Sequence, residues 1–363
     1  MTGYLLDDRD MVDRALLGSD KTGNTGFLRQ TELLFSPDGY YTEGPYYQRY
    51  ALMPFMVFAD AIARNDPERG IFAHRDGILL KALRTTIQLT YGGYFFPFND
   101  AIRDKSLNTD ELYHGVAIAY AETRDPGLLA IADWQGRTIF TEDGLLLARD
   151  LVAGPPQPFD FRTLLLRDGP EGDRGAVAIL RDGKGPDHLA LVAKNTSQGM
   201  GHGHFDKLSW QLYDNGHEIV RDYGAARFLN VVAKEGGRYL PENESWAKQT
   251  VAHNALVVNG TSHFGGDADL ADRHADSKMR TTVWQNLLLG NVDKSDMNAL
   301  VSGIEQLGQS GDIGHARPGI GPGGFDQHVV GLLLAPRPRR VPLEAISKER
   351  YRPLVGDLGQ WGS

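Results

Sequence analysis

One short segment of the chain concentrates residues that move protons or hold metals. There are 11 His in 363 residues, yet only Gly201-His202-Gly203-His204-Phe205-Asp206 groups two of them beside a carboxylate. Glycines on both sides of His202 let the backbone approach a ligand closely. In an extended segment His202 and His204 share one face. Further on come Asp222, Arg227, Tyr239 and His253-Asn254, residue types suited to acid-base work, anion binding and metal ligation. None of their spacings forms a local metal motif such as His-Glu-x-x-His. Taken alone, the His-x-His pair favours a solvated loop over a site.

The elements that must position these residues change character along the chain. Residues 1–150 read mainly as helices. Pro45 opens a helix over 45–64, with Tyr46, Tyr50, Met53 and Val57 at three-to-four spacing and a kink expected at Pro54. A second helix over 78–91 ends at Gly92-Gly93, and Asp125-Pro126 caps a third that turns Leu128, Leu129 and Ala132 inward. Aromatic loops are expected at Tyr91–Phe98 and Tyr113-His114-Gly115. Paired helices joined by such loops suggest an all-α superhelix or toroid.

After Gly154-Pro155-Pro156-Gln157-Pro158 the hydrophobic period falls to two. Ala176–Leu180 and Leu189–Ala193 read as buried strands. Leu208, Trp210 and Leu212 alternate with polar residues before a turn at Asp214-Asn215-Gly216 and a returning strand over Glu218–Tyr223, and Asn254–Gly260 reads as one more strand. Helices first and strands second predict an α+β multidomain chain rather than alternating βαβ units.

Composition narrows the function classes. Charged residues are 23%, the net charge is −9 and there is no cysteine. The acidic balance argues against nucleic acid as a partner. Missing cysteine removes disulfides, thiolate nucleophiles and Cys-based zinc sites. No apolar run reaches the length of a membrane span. A homo-oligomer is compatible with this composition.

Together the motifs carry more than each does singly. Asn195–Asp206, Ser209-Trp210, Gly216, Asp222-Tyr223-Gly224 and Trp246-x-x-x-Thr250-x-x-His253-Asn254 resemble the heparinase II/III-type lyase domain. Phe35-Ser36-Pro37-Asp38-Gly39-Tyr40-Tyr41-Thr42-Glu43-Gly44-Pro45-Tyr46-Tyr47-Gln48-Arg49-Tyr50 is similar to the oligoalginate lyases of polysaccharide lyase family seventeen. The resemblance covers roughly residues 10–265. It implies a partial (α/α) toroid over 1–153, an antiparallel β-sandwich over 160–290, and an acidic uronate oligosaccharide as substrate. It also implies roles: Tyr47, His202 and Tyr239 as catalytic residues, Arg227 and Tyr50 as substrate-binding residues, and His204, Asp222 and His253 as ligands of a structural zinc ion. Read from periodicity alone, Tyr47 would be core packing on an aromatic helix, and the three metal candidates ordinary hydrogen-bonded polar residues.

The reaction implied is β-elimination, in which the C5 proton of a uronate is removed and the 4-O-glycosyl group leaves. It needs no nucleophile, in keeping with the absence of both cysteine and a Gly-x-Ser-x-Gly elbow. A tyrosine with its ordinary pKa of about 10 is ionised to only about a thousandth at pH 7. Cationic neighbours such as Arg227 and His202 are therefore expected to make Tyr47 a usable base. His202 is the alternative base.

The remaining expectations concern the ends and the alternatives. The family's Asn-His pair, which neutralises the substrate carboxylate, would fall before Met1, so the start is expected to be a truncation. Residues 291–363 read as an atypical Gly/Pro/Arg-rich tail. Relatives are usually periplasmic, while the first residues here show no export signal. A heparin or heparan sulfate lyase is the alternative substrate reading, disfavoured by the absence of a dense basic cluster in 195–254. An inactive uronate-binding fragment is the alternative of another class.

Overall fold

The computed structural model describes residues 1–183, 185–197, 201–226, 240–257 and 259–266. The chain is a mixture of helices and antiparallel sheet. Helices α1 (Thr2–Leu5), α2 (Arg9–Leu17), α3 (Gly26–Leu34), α4 (Pro45–Asn65), α5 (His74–Gln88), α6 (Asp110–Thr123), α7 (Pro126–Gln135) and α8 (Glu142–Ala153) come first. The strands of the larger sheet follow them.

Helix α4 begins with Pro45 in its first turn and runs for 21 residues with Pro54 inside it. Its buried side, including Leu52, Phe55, Met56, Ala59 and Ile62, joins one hydrophobic cluster with α5 and α6. That burial outweighs the backbone hydrogen bond that Pro54 removes. In α5 the regular turns start only after Arg75, Asp76 and Gly77, all at positive φ, and the helix ends at Gln88. Asp125 caps α7 by accepting from the Gly127 amide at 2.9 Å. Leu128, Leu129 and Ala132 are buried, as their spacing predicts.

Two loop expectations are corrected. Tyr113-His114-Gly115 lies inside α6, not in a loop. A Cβ added at Gly115 would stand 3.0 Å from the Leu83 side chain, so its glycine serves close packing of α6 on α5. The aromatic segment Tyr91–Phe98 is partly a hairpin, β1 (Thr90–Tyr91) against β2 (Tyr94–Phe95). Gly92 and Gly93 form its turn, both at positive φ, as primed two-residue turns require.

The second sheet has five antiparallel strands in sequence order: β3 (Leu164–Arg167), β4 (Ala176–Arg181), β5 (Ala190–Asn195), β6 (Ser209–Asp214) and β7 (His217–Val220). The turn at Asn215-Gly216 joins β6 to β7, with Asp214 facing His217. In β6 the more buried face is Ser209, Gln211 and Tyr213, not Trp210 and Leu212. Tyr213 packs there with Tyr91, Phe96 and Val192 in a cluster shared by the sheet and the segments after α5. Residues 254–257 are irregular chain rather than the expected strand, and Val258 lies outside the described residues. The Asn254 carbonyl accepts from Trp210 N at 3.3 Å, and its side-chain amide donates to the Arg221 carbonyl at 2.8 Å. The tail 291–363 also lies outside the described residues.

Candidate active site

A short irregular segment, Phe98–Ala101, ties together the three parts of the chain that carry the candidate residues. Asn99 adopts positive φ. Its side-chain amide donates to the Glu43 carbonyl at 3.0 Å, just before α4. Its side-chain oxygen accepts from Lys194 Nζ, on β5, at 2.7 Å. The Asp100 amide donates to the His202 carbonyl at 3.1 Å, and the Ala101 carbonyl accepts from Ala225 N at 2.9 Å. Gly224 makes that last approach feasible, because a Cβ there would lie 2.4 Å from the Ala101 carbonyl oxygen.

Within this frame Tyr47 and His202 meet. Their rings are stacked, with centroids 3.9 Å apart and planes inclined by 22°. Tyr47 Oη donates to the Asp100 carbonyl at 3.4 Å. His202 Nδ1 is 3.2 Å from Asp100 Oδ2, and its Nε2 is 3.9 Å from Glu43 Oε1. Both rings are partly exposed, whereas Asp100 is buried. Gln48, the next residue of α4, anchors the turn before it. It donates to the Gly39 carbonyl at 2.6 Å and the Ala82 carbonyl at 3.0 Å, and accepts from the Tyr41 amide at 3.3 Å.

Asp100 also reaches His204, whose Nε2 is 3.0 Å from Oδ1. Burial by itself would raise the Asp100 carboxyl, but the hydrogen bonds to His202 and His204 win and hold it at about 2. His204 is almost fully buried, and desolvation lowers its pKa despite that carboxylate.

The candidate metal residues stand alongside. Asp222 Oδ2 lies 2.8 Å from His253 Nδ1, and the His253 side chain has no exposed surface. Burial opposes a charge on His253, but the Asp222 carboxylate raises its pKa. One carboxylate oxygen each from Asp206 and Asp222 and a His253 nitrogen lie within 4.8 Å of one another. His204 is not within that span, although its ring centroid is 5.1 Å from that of His253. Asp206 is already bound by Lys194, with Nζ at 2.6 and 2.7 Å from its two oxygens. Burial would push the Asp206 carboxyl up, and Lys194 more than reverses this. Two buried imidazole nitrogens, His204 Nδ1 and His253 Nε2, have no hydrogen-bond partner. Unpaired imidazole nitrogens beside carboxylates are a donor set acceptable to zinc.

The other expected residues divide. Tyr50 is half-exposed one turn beyond Tyr46, with the Arg49 guanidinium 3.8 Å over its ring. Arg227 and Tyr239 lie outside the described residues. Three participants escape sequence reasoning: Asp100, Asp206 as a member of the metal-type cluster, and the buried Lys194 paired with it. Asp100 follows the aromatic Tyr91–Phe98 segment, and no local pattern marks it. Asp206 stands in the histidine segment itself, two residues past His204, and that proximity was the available signal.

The family described as Heparinase II/III-like, C-terminal, matches residues 165–305. An exo-oligoalginate lyase of Saccharophagus degradans is 62% identical over 274 residues, covering 76% of this chain and 37% of the relative. An alginate lyase of Stenotrophomonas maltophilia is 60% identical over 275 residues, with the same coverage. The chain thus spans a little over a third of the length of these curated relatives. Among solved structures, a heparan sulfate lyase mutant from Pedobacter heparinus superposes with a TM-score of 0.51 at 15% identity, over 72% of this chain and 36% of that one. A heparinase III does so at 0.50 and 18% identity, over 72% and 35%. Residues 165–305 thus carry the match to a Heparinase II/III-like, C-terminal domain.

Proposed function

We propose that this chain is part of a polysaccharide lyase that shortens alginate oligosaccharides by β-elimination, acting exolytically and releasing an unsaturated monouronate. The observation that carries the reading is the stack of Tyr47, from the start of α4, on His202, from the loop before β6. Two groups able to carry a proton are brought face to face by segments far apart in sequence. The 62% identity to an exo-oligoalginate lyase supports the substrate and the mode of attack.

In this reading the uronate C5–H bond breaks, with Tyr47 Oη or His202 accepting the proton. The electron pair forms the C4–C5 double bond and the C4–O bond breaks. The departing glycosyl oxygen then takes a proton from Tyr47. Acid-base groups placed in this way contribute typically ~10²–10⁴-fold each. Arg227 and Tyr50 are assigned to the substrate, and Tyr239 to catalysis, on the resemblance.

The same reading takes the helices as part of an (α/α) toroid and the five-stranded sheet as one layer of an antiparallel sandwich. Zinc is proposed between His204, Asp222 and His253. The two orphaned imidazole nitrogens support this choice over Asp206, which Lys194 already occupies. When bound, the ion would supply electrostatic anchoring that fixes the loop bearing His202. A periplasmic location goes with this reading, and fractionation of expressing cells tests it. No helix among the described residues is long and apolar enough to cross a membrane.

The test is purified protein on short mannuronate oligosaccharides, following ultraviolet absorbance of the new double bond, with Tyr47→Phe beside it. Absorbance that rises with wild type and not with the variant supports the reading. A protein that binds the oligosaccharide without forming product is a binding fragment instead.

A further inference from the structure

The Asp100 carboxylate lies between the two histidines of the Gly201–Asp206 segment, 3.2 Å from Nδ1 of His202 and 3.0 Å from Nε2 of His204. It is fully buried. An ionised carboxylate only accepts hydrogen bonds, so the ring nitrogen facing it must carry the hydrogen. Each neutral imidazole has one N–H and one lone pair. The same carboxylate therefore dictates opposite tautomers in two rings two residues apart.

We infer that Asp100 is the positioning residue of the site: it holds His202 as the Nδ1–H tautomer, with the Nε2 lone pair free to take a proton, and His204 as the Nε2–H tautomer, with the Nδ1 lone pair inward. Three further contacts keep the carboxylate in place. The Asp100 amide donates to the His202 carbonyl, closing a reciprocal bond with the residue it orients. The Asp100 carbonyl accepts from Tyr47 Oη at 3.4 Å. Lys248 Nζ stands 3.7 Å from Oδ2. His202 Nε2 is directed to the side of Glu43, 3.9 Å away, where the ring is partly exposed. His204 Nδ1 is the buried nitrogen that has no partner. One side chain thus presents a base to a substrate and a ligand to a cation. The role in catalysis rests on the lyase reading; the tautomer assignment does not.

Ring nitrogen-15 shifts distinguish the two tautomers directly. Full-length protein labelled on histidine is measured at mildly alkaline pH, with His202→Gln and His204→Gln used to assign the signals. The inference requires the Nδ1–H pattern for His202 and the Nε2–H pattern for His204 in wild type. An Nε2–H pattern at His202 overturns it, whatever the enzyme does. In Asp100→Asn one of the two N–H groups loses its acceptor. The signal of the ring that loses it, His202 or His204, is then expected to move to the other tautomer, and kcat on the mannuronate oligosaccharide to fall by ~10²–10⁴-fold where that ring is His202, with KM within about twofold. An Asp100→Asn protein with unchanged shifts at both His202 and His204 also overturns it. Should wild type lack activity on uronates, the lyase reading fails, while the wild-type shifts still decide the role of Asp100. They decide it equally if the variant does not fold.

Discussion

The ring of Tyr47 lies on the ring of His202 with 3.9 Å between centroids, one supplied by the first turn of a helix and the other by a loop before a strand. Nearby, Asn99 hydrogen-bonds the carbonyl of Glu43 on one side and Lys194 on the other. Helical and sheet parts of the chain are thereby fixed to each other where proton transfer is proposed.

Removing the Tyr47 hydroxyl separates catalysis from folding. Its hydrogen bond to the Asp100 carbonyl is long at 3.4 Å, whereas the ring's stacking survives in phenylalanine. Tyr47→Phe is expected to lower kcat by ~10²–10⁴-fold while shifting the thermal midpoint by no more than a few degrees. Steady-state kinetics and calorimetry on one preparation check both parts.

Gln48 is expected to matter for stability more than its neighbour does. It is fully buried and satisfies the Gly39 and Ala82 carbonyls and the Tyr41 amide. Gln48→Leu takes that partner from the Gly39 carbonyl and the Tyr41 amide, at ~1–3 kcal/mol for each group that finds no other, while the Ala82 carbonyl keeps the Thr86 hydroxyl at 2.8 Å. Urea unfolding should show a loss of at least about 2 kcal/mol. A loss below about 0.5 kcal/mol would mean that water or a shifted loop replaces it.

The Lys194–Asp206 pair is buried at both ends, each side chain being 2% exposed. Removing one member strands the other charge in the interior, which costs ~3–5 kcal/mol. Lys194→Met alone should therefore destabilise strongly. Combining it with Asp206→Leu should recover much of the loss, since no uncompensated charge then remains. A double variant no better than the single one would contradict the electrostatic explanation.

A pH prediction comes from the other end of the molecule. Asp66 is buried, and the Arg9 guanidinium, with hydrogen bonds from Tyr4 at 2.9 Å and Arg69 at 3.2 Å, holds its carboxyl below the usual range against the opposing effect of burial. A carboxyl whose folded pKa is depressed binds fewer protons folded than unfolded. Its stabilisation is complete above the ordinary carboxylate pKa of about 4 and is lost as pH falls through the folded value. Wild type is thus expected to lose more stability between pH 7 and pH 3 than Asp66→Asn does. Equal losses in urea titrations at the two pH values would remove Asp66 from the account.

Metal content tests the proposed zinc ligands apart from activity. Elemental analysis of purified protein is expected to find about one zinc per chain, with strong depletion in His253→Ala and in His204→Ala. Chelation should lower the thermal midpoint of wild type and leave that of His253→Ala unchanged. Full zinc occupancy in His204→Ala, lost instead in Asp206→Asn, would assign the third ligand to Asp206.

How far the sequence foretells this site depends on the range of the interactions involved. Pro45 at the start of α4, the Asp125 cap and the turn at Asn215-Gly216 are local devices, and each is legible from its own neighbours. Tyr113–Gly115 misleads because glycine beside aromatics reads as a loop, while tertiary contact with Leu83 is what its small size serves. Asn254–Val257 misleads because an apolar run satisfies the pattern of a strand, while these residues are irregular chain bonded to β6 through the Asn254 carbonyl. Asp100 and Lys194 are invisible beforehand for a similar reason. Their meaning arises only when Asn99, His202, His204 and Asp206 have been brought around them by contacts across the chain.

The most direct test of the central claim is the elimination assay itself, on full-length protein with mannuronate oligosaccharides of defined length. Growth of the C4–C5 double-bond absorbance is expected, with unsaturated monouronate as the first small product, and loss of that signal in both Tyr47→Phe and His202→Gln. Undiminished elimination in either folded variant, or its absence in wild type, would contradict that claim.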